Sequence, residues 1–176
     1  MIAHRLLKNN EKGFTLIEVV VAVALTAIII GVIVTSVFQV FILNVRTSNH
    51  MNAVTQVQSA GYWVSHDAQM AQDVDASGTS GSLLILTWAD WSGNEYQVIY
   101  TLEDMTTSTL KNLQRSYSIN GAVTETGFIA QYVDPTNTNC TVTDDMLTLN
   151  VTATVGTDPH AQSETRVYEV IPRPSV

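Results

Sequence analysis

The chain changes its hydrophobic rhythm twice. From Val19 to Val45 no side chain is charged and apolar residues fill most positions. At roughly 1.5 Å per helical residue this run extends about 40 Å, enough to cross a hydrocarbon layer of about 30 Å with some tilt. Beyond it, Met51, Val54, Val57, Gly61, Val64, Ala68 and Ala71 recur at steps of three and four, while Gln56, Ser59, His66, Gln69 and Gln72 fall elsewhere. That spacing builds one apolar stripe on a helix that leans on something. Neither Gly nor Pro interrupts the stretch from Val32 to Ala60, so the pattern predicts one long helix from about Thr15 to about Gln72, its first half suited to lipid and its second half to a sheet. Asp73, Asp75 and the run Ser77-Gly78-Thr79-Ser80-Gly81 end it.

Alternation then takes over. Leu147, Leu149, Val151, Ala153 and Val155 face one way, and Thr148, Asn150, Thr152 and Thr154 the other, as in a strand buried on one face. Further strands are predicted at Leu83 to Trp88, Tyr96 to Leu102, Leu113 to Ile119, Gly127 to Val133 and Arg166 to Ile171. Turn formers separate them, and Asn120-Gly121 is the best hairpin turn because both positions tolerate positive φ. A long helix followed by an antiparallel sheet is an α+β arrangement.

The start of the chain adds chemistry to this frame. Arg5, Lys8 and Lys12 stand against Glu11 ahead of the apolar run, the charge bias of a cytoplasmic flank, so the N-terminus is expected inside and the C-terminal part outside. A secretory signal is cut beyond its apolar core. Here Lys12-Gly13-Phe14-Thr15-Leu16-Ile17-Glu18 places the expected cut before the core, so the released protein keeps its helix.

Gly13 through Glu18 resembles the signal of the type IV pilin and type II secretion pseudopilin superfamily: Gly, Phe, then Thr-Leu-Ile/Val-Glu. The resemblance implies the pilin fold, cleavage after Gly13 by a membrane aspartyl protease that also methylates the new amino group on Phe14, and a role as a filament subunit. It implies as partners other pilin or pseudopilin subunits, the prepilin peptidase and methyltransferase, the inner-membrane assembly platform and membrane lipid. The expected site is a single pass through the bacterial cytoplasmic membrane, followed by the pilus or pseudopilus. Three segments follow: a leader at 1–13, an assembly helix at 14–45, and an exported domain at 46–176.

Glu18 is the physical crux. A carboxylate in a membrane helix is costly unless it finds a partner or a polar cavity. No basic side chain lies within the apolar run, and Arg46 is beyond its far end. The remaining cation is the amine created at Phe14, and in the family the partner is the amine of the neighbouring subunit. Glu18 is then an assembly residue. A signal-anchored protein with Glu18 among headgroups, left uncleaved and presenting an exported binding module, is the alternative.

Composition narrows the classes. The 176 residues carry a net charge of −8. Removing Arg5, Lys8 and Lys12 with Glu11 leaves about −10 and five basic residues, so direct nucleic-acid binding is not expected. The lone Cys140 forms no intrachain disulfide and is read as a small buried or loop residue.

The pattern Trp63-Val64-Ser65-His66-Asp67-Ala68-Gln69-Met70-Ala71, then Val98-Ile99-Tyr100-Thr101-Leu102, then Leu113-Gln114-Arg115, looks like minor pilins and pseudopilins of the J or W type. In these a helical Asp precedes a strand Tyr and a later Leu-x-Arg. The chain lacks the membrane-helix Pro of many pilins and has only Gly31, Thr35 and Ser36, so a kink is not carried over.

Ser65, His66 and Asp67 contain the residue types of a hydrolase triad, but consecutive helical positions point about 100° apart and do not converge. No enzyme activity and no resident cofactor are expected. His50 and His160 lack metal-ligand spacing. Asp134, Asn137, Asn139, Asp144 and Asp145 form an oxygen-rich loop where calcium is the weaker reading and turn chemistry the stronger. Trp88 and Trp91 are read as core and turn packing, with an exposed contact as the alternative.

Overall fold

The computed structural model describes residues 13–78, 81–106 and 108–173. The basic flank Arg5, Lys8, Glu11 and Lys12, and Thr79 and Ser80 of the helix-ending run, lie outside the described residues. Among the described residues a single helix, α1 (Leu16–Met70), precedes eight strands: β1 (Asp73–Asp75), β2 (Ser82–Ala89), β3 (Glu95–Asp104), β4 (Lys111–Ile119), β5 (Ala122–Val133), β6 (Asn139–Thr143), β7 (Met146–Val155) and β8 (Gln162–Val170). This is the α+β order read from the pattern. The chain divides into two compact units, one up to Leu43 and one from Asn44 onward.

In the first unit the apolar side chains of α1 point outward around the whole helix. It is one helix long and apolar enough to cross a membrane, by length and composition. Its hydroxyls turn inward instead: Thr26 donates to the Ala22 carbonyl at 2.7 Å, Thr35 to Gly31 at 2.8 Å and Ser36 to Val32 at 2.9 Å. Bonding back to the preceding turn leaves no hydroxyl proton to satisfy in an apolar surrounding.

In the second unit the stripe of α1 packs on the sheet. Ala53, Val57, Ala60, Gly61, Val64, Ala68 and Ala71 are buried, so the stripe begins at Ala53, and Met51 is exposed. Small residues let the strands approach closely. A Cβ built on Gly61 would overlap the ring of Tyr168, whose hydroxyl donates to the Val57 carbonyl at 3.1 Å. The core continues through Leu84, Leu86, Val98, Tyr100 and Leu113, and through Leu147, Leu149, Val151 and Ala153 of the strand with the clean alternation.

Every strand pairing is antiparallel, and the order is β1-β2-β3-β4-β5-β7-β6 with β8 on the other side of β7. Asn120 (φ 50°) and Gly121 (φ 79°) form the predicted hairpin turn between β4 and β5. Because only these two residues intervene, β5 starts at Ala122, five positions before the predicted Gly127. β1 and β6 were not predicted. The helix ends at Met70, yet Asp73–Asp75 go on to pair with β2, and Asn139–Thr143 pair with β7.

The turn between β2 and β3 is built around Asp90. Its carboxylate accepts from the Ser92 amide (2.8 Å), the Asn94 amide and side chain (both 3.0 Å) and the Tyr96 hydroxyl (3.0 Å). The Asn94 side chain holds its carboxyl below the ordinary range. Asn120 then straps this turn to its neighbour, donating to Asn94 at 3.1 Å and accepting from the Glu95 amide at 2.8 Å. Trp88 stacks on Tyr96 at 5.6 Å, as packing predicts, whereas Trp91 is 99% exposed on the turn.

Candidate functional site

Glu18 lies in the first turn of α1, three residues after Thr15. The Glu18 carboxylate accepts from the Thr15 amide at 2.8 Å and from the Thr15 hydroxyl at 2.8 Å, both on Oε2. The Glu18 amide donates to Thr15 Oγ1 at 3.3 Å. This reciprocal pair is a capping box, which satisfies amides that every helix start leaves unpaired. Its signal, Thr-x-x-Glu ahead of an apolar run, is legible in the chain. The box leaves Oε1 without a hydrogen bond among the described residues, and Phe14, four residues earlier, is exposed. Gly13 precedes the helix, with open space around it.

A second constellation lies between α1 and the sheet. The helical Asp, strand Tyr and Leu-x-Arg of the J/W-like pattern come from three elements and meet at one point. Arg115 of β4 grips Asp67 with two parallel bonds, Nε to Oδ2 at 2.7 Å and Nη2 to Oδ1 at 3.0 Å, and Tyr100 of β3 donates to Oδ2 at 2.5 Å. Tyr100 and Arg115 are cross-strand partners, so the sheet register itself delivers both donors to one carboxylate. Asp67 is fully buried, and Arg115 lies over the rings of Trp63 (4.9 Å) and Tyr117 (5.4 Å). A planar guanidinium suits both tasks.

The electrostatics follow from the geometry. Burial, and then the Asp67 charge, hold the Tyr100 phenol above its ordinary value. Desolvation pulls Arg115 down, but the Asp67 hydrogen bonds and charge outweigh it, and the guanidinium is more firmly protonated than usual. His66 Nδ1 sits 3.3 Å from Asp67 Oδ1, at the exposed edge of the cluster. Asp67 is thus committed to the sheet, and Ser65, His66 and Asp67 do not assemble as a triad.

The oxygen-rich loop is not one cluster. Asp134 accepts from the Thr136 amide at 2.9 Å and the Asn137 side chain at 2.7 Å, and the Asn137 bond lowers its pKa. Asn139 pairs with Asn150 in the β6–β7 ladder. Asp144 and Asp145 (φ 50° and 61°) form the two-residue turn at the opposite end of that hairpin. Among the described residues no three His, Cys, Asp or Glu side chains are placed to hold a metal ion. Cys140 is buried, and its surroundings push the thiol up to about 12.

Residues 8–34 match the family model described as the prokaryotic N-terminal methylation motif. The chain carries a prepilin-type N-terminal motif. No curated protein and no solved structure gives a match. Motif and fold together support the type IV pilin and pseudopilin superfamily, whose members are structural subunits. For a pilin-like chain the apolar α1 surface is a membrane anchor, and the superfamily motif implies contact with other pilin subunits and with prepilin peptidase.

Proposed function

We propose that this chain is a minor pilin or minor pseudopilin, a subunit of a type IV filament or of a secretion or competence pseudopilus. It enters the cytoplasmic membrane with its N-terminus inside, is cut after Gly13, is methylated on Phe14, and joins the filament through the helix from Phe14 to Val45. The observation that carries this reading is the carboxylate of Glu18, held by Thr15 at the mouth of an exposed apolar helix directly after the matched Gly-Phe pair.

Thr15 satisfies one carboxylate oxygen, and the other is available to an amine. Bringing a neighbour's Phe14 amine to Glu18 in lipid couples two charges that are each costly to leave alone. Maturation therefore switches on assembly, because that amine exists only after cleavage. The minor assignment draws on the Asp67, Tyr100 and Arg115 pattern, and the assembly platform is the expected membrane partner.

A mass spectrum of the protein purified from cells tests the reading. An N-terminus at methylated Phe14 is expected, and an intact Met1, or loss of Met1 alone, establishes an uncleaved anchor instead. Glu18→Ala is expected to be inserted and processed yet to assemble poorly; normal incorporation of that variant removes the role given to the carboxylate.

A further inference from the structure

Asp73, Thr87, Gln97 and Ser118 stand in one row across β1, β2, β3 and β4, each the register partner of the next. Alternation puts this row on the sheet face opposite Leu86 and Val98, away from the core. Together with Gln72 and Glu95 it lines a cavity of about 410 Å³, within the range of about 300–1,000 Å³ typical of small-molecule sites.

The chemistry of the lining is one-sided. It offers two carboxylates, two amides, the hydroxyls of Thr87 and Ser118 and the Tyr96 phenol, whose proton goes to Asp90, and no cation. The side chains of Asp73, Thr87, Glu95 and Gln97 make no hydrogen bond among the described residues. Gln72 spends its oxygen on the Ala89 amide at 3.0 Å, which leaves its NH2 to donate, and Ser118 donates to the Gln97 carbonyl at 3.3 Å. The frame around them is fixed, because the Gln72 amide bonds the Thr87 carbonyl at 2.9 Å and Asn120 holds Glu95. Ala89 and Glu95, both in the lining, are joined by the Asp90 turn that carries the exposed Trp91.

We infer that this cavity binds a hydroxyl-rich amine, an amino sugar with a free ammonium group. Hydroxyls of the ligand pair with Thr87, Gln97, Gln72 and Ser118, and the ammonium lies between Asp73 and Glu95. Phosphorylated and acidic sugars are excluded by the two carboxylates, in a mature chain of net charge about −10.

The test is an amide-shift titration of the mature, isotope-labelled protein in detergent micelles with glucosamine, glucose and glucose 6-phosphate. Saturable shifts at Thr87, Gln97 and Ser118 are expected with glucosamine, about tenfold weaker binding with glucose, and none with the phosphate. Asp73→Asn should bring glucosamine to the level of glucose, and Gln97→Leu should weaken both. Unchanged amide positions elsewhere certify the fold of each variant. Absence of saturable shifts overturns the site, equal response to glucose 6-phosphate overturns the ligand class, and tighter binding of a trilysine peptide at the same amides replaces the sugar with a basic peptide.

Discussion

Replacing Asp67 by Ala is the most informative perturbation of the fold. It removes the acceptor of three hydrogen bonds, two of them to a guanidinium, from a point with no solvent access. Breaking a buried ion pair from one side costs about 3–5 kcal/mol, because the other charge stays behind unpaired. Here Arg115 keeps the rings of Trp63 and Tyr117 and has Glu125 at 3.8 Å, which places the expected loss near the lower end, about 3 kcal/mol. At an m-value of about 2 kcal/mol per molar urea, the unfolding midpoint falls by about 1.5 M. Trp63, beside Arg115, gives the fluorescence signal in mature protein held in micelles. The double variant Asp67→Leu with Arg115→Met removes both charges and leaves only the Tyr100 hydroxyl unpaired, so it should recover part of the loss, to within about 2 kcal/mol of the parent. A single variant within about 0.3 M of the parent midpoint, or a double variant no better than the single one, refutes the argument.

Three further outcomes follow from the same packing. The folded state holds the Tyr100 proton after an unfolded chain has released it at about pH 10, so the unfolded state then binds fewer protons. Stability should be level below that pH and fall above it, with Tyr100→Phe showing a shallower fall in urea midpoints. Cys140 should resist iodoacetamide at pH 8 in the native protein and react once urea unfolds it; mass spectrometry that finds rapid native labelling contradicts its burial. Gly61→Ala forces a methyl group into the Tyr168 ring and should cost about 1–3 kcal/mol, partly relieved by adding Tyr168→Leu, as read by thermal melts.

Periodicity made the long helix and six of the strands legible, because each buries a face at a fixed repeat. Boundaries were lost where a local signal had two readings. Asp73 and Asp75 are helix breakers by composition, but backbone pairing to β2 outweighs side-chain preference, and they form a strand. Asn139–Thr143 reads as part of an oxygen-rich loop, since a five-residue edge strand with one buried side chain has too little alternation to stand out. The motif from Gly13 to Glu18 could be read because it depends on neighbours in the chain. In the sequence Asp67 stands out through the J/W resemblance and the non-converging Ser65-His66-Asp67 run, and neither accounts for a carboxylate on a buried face. Its place in an apolar stripe makes physical sense once Tyr100 and Arg115, 33 and 48 positions away, are known to arrive beside it.

Loop tips are usually where a domain accepts foreign sequence most readily, since few bonds cross them. The bridge from Asn120 to Asn94 and Glu95 reverses that expectation for two adjacent hairpins. An epitope tag inserted at Gly93 would pull on the neighbouring corner as well as its own, so two ladders would fray from one insertion. Divergence at these corners should proceed by residue exchange at constant length.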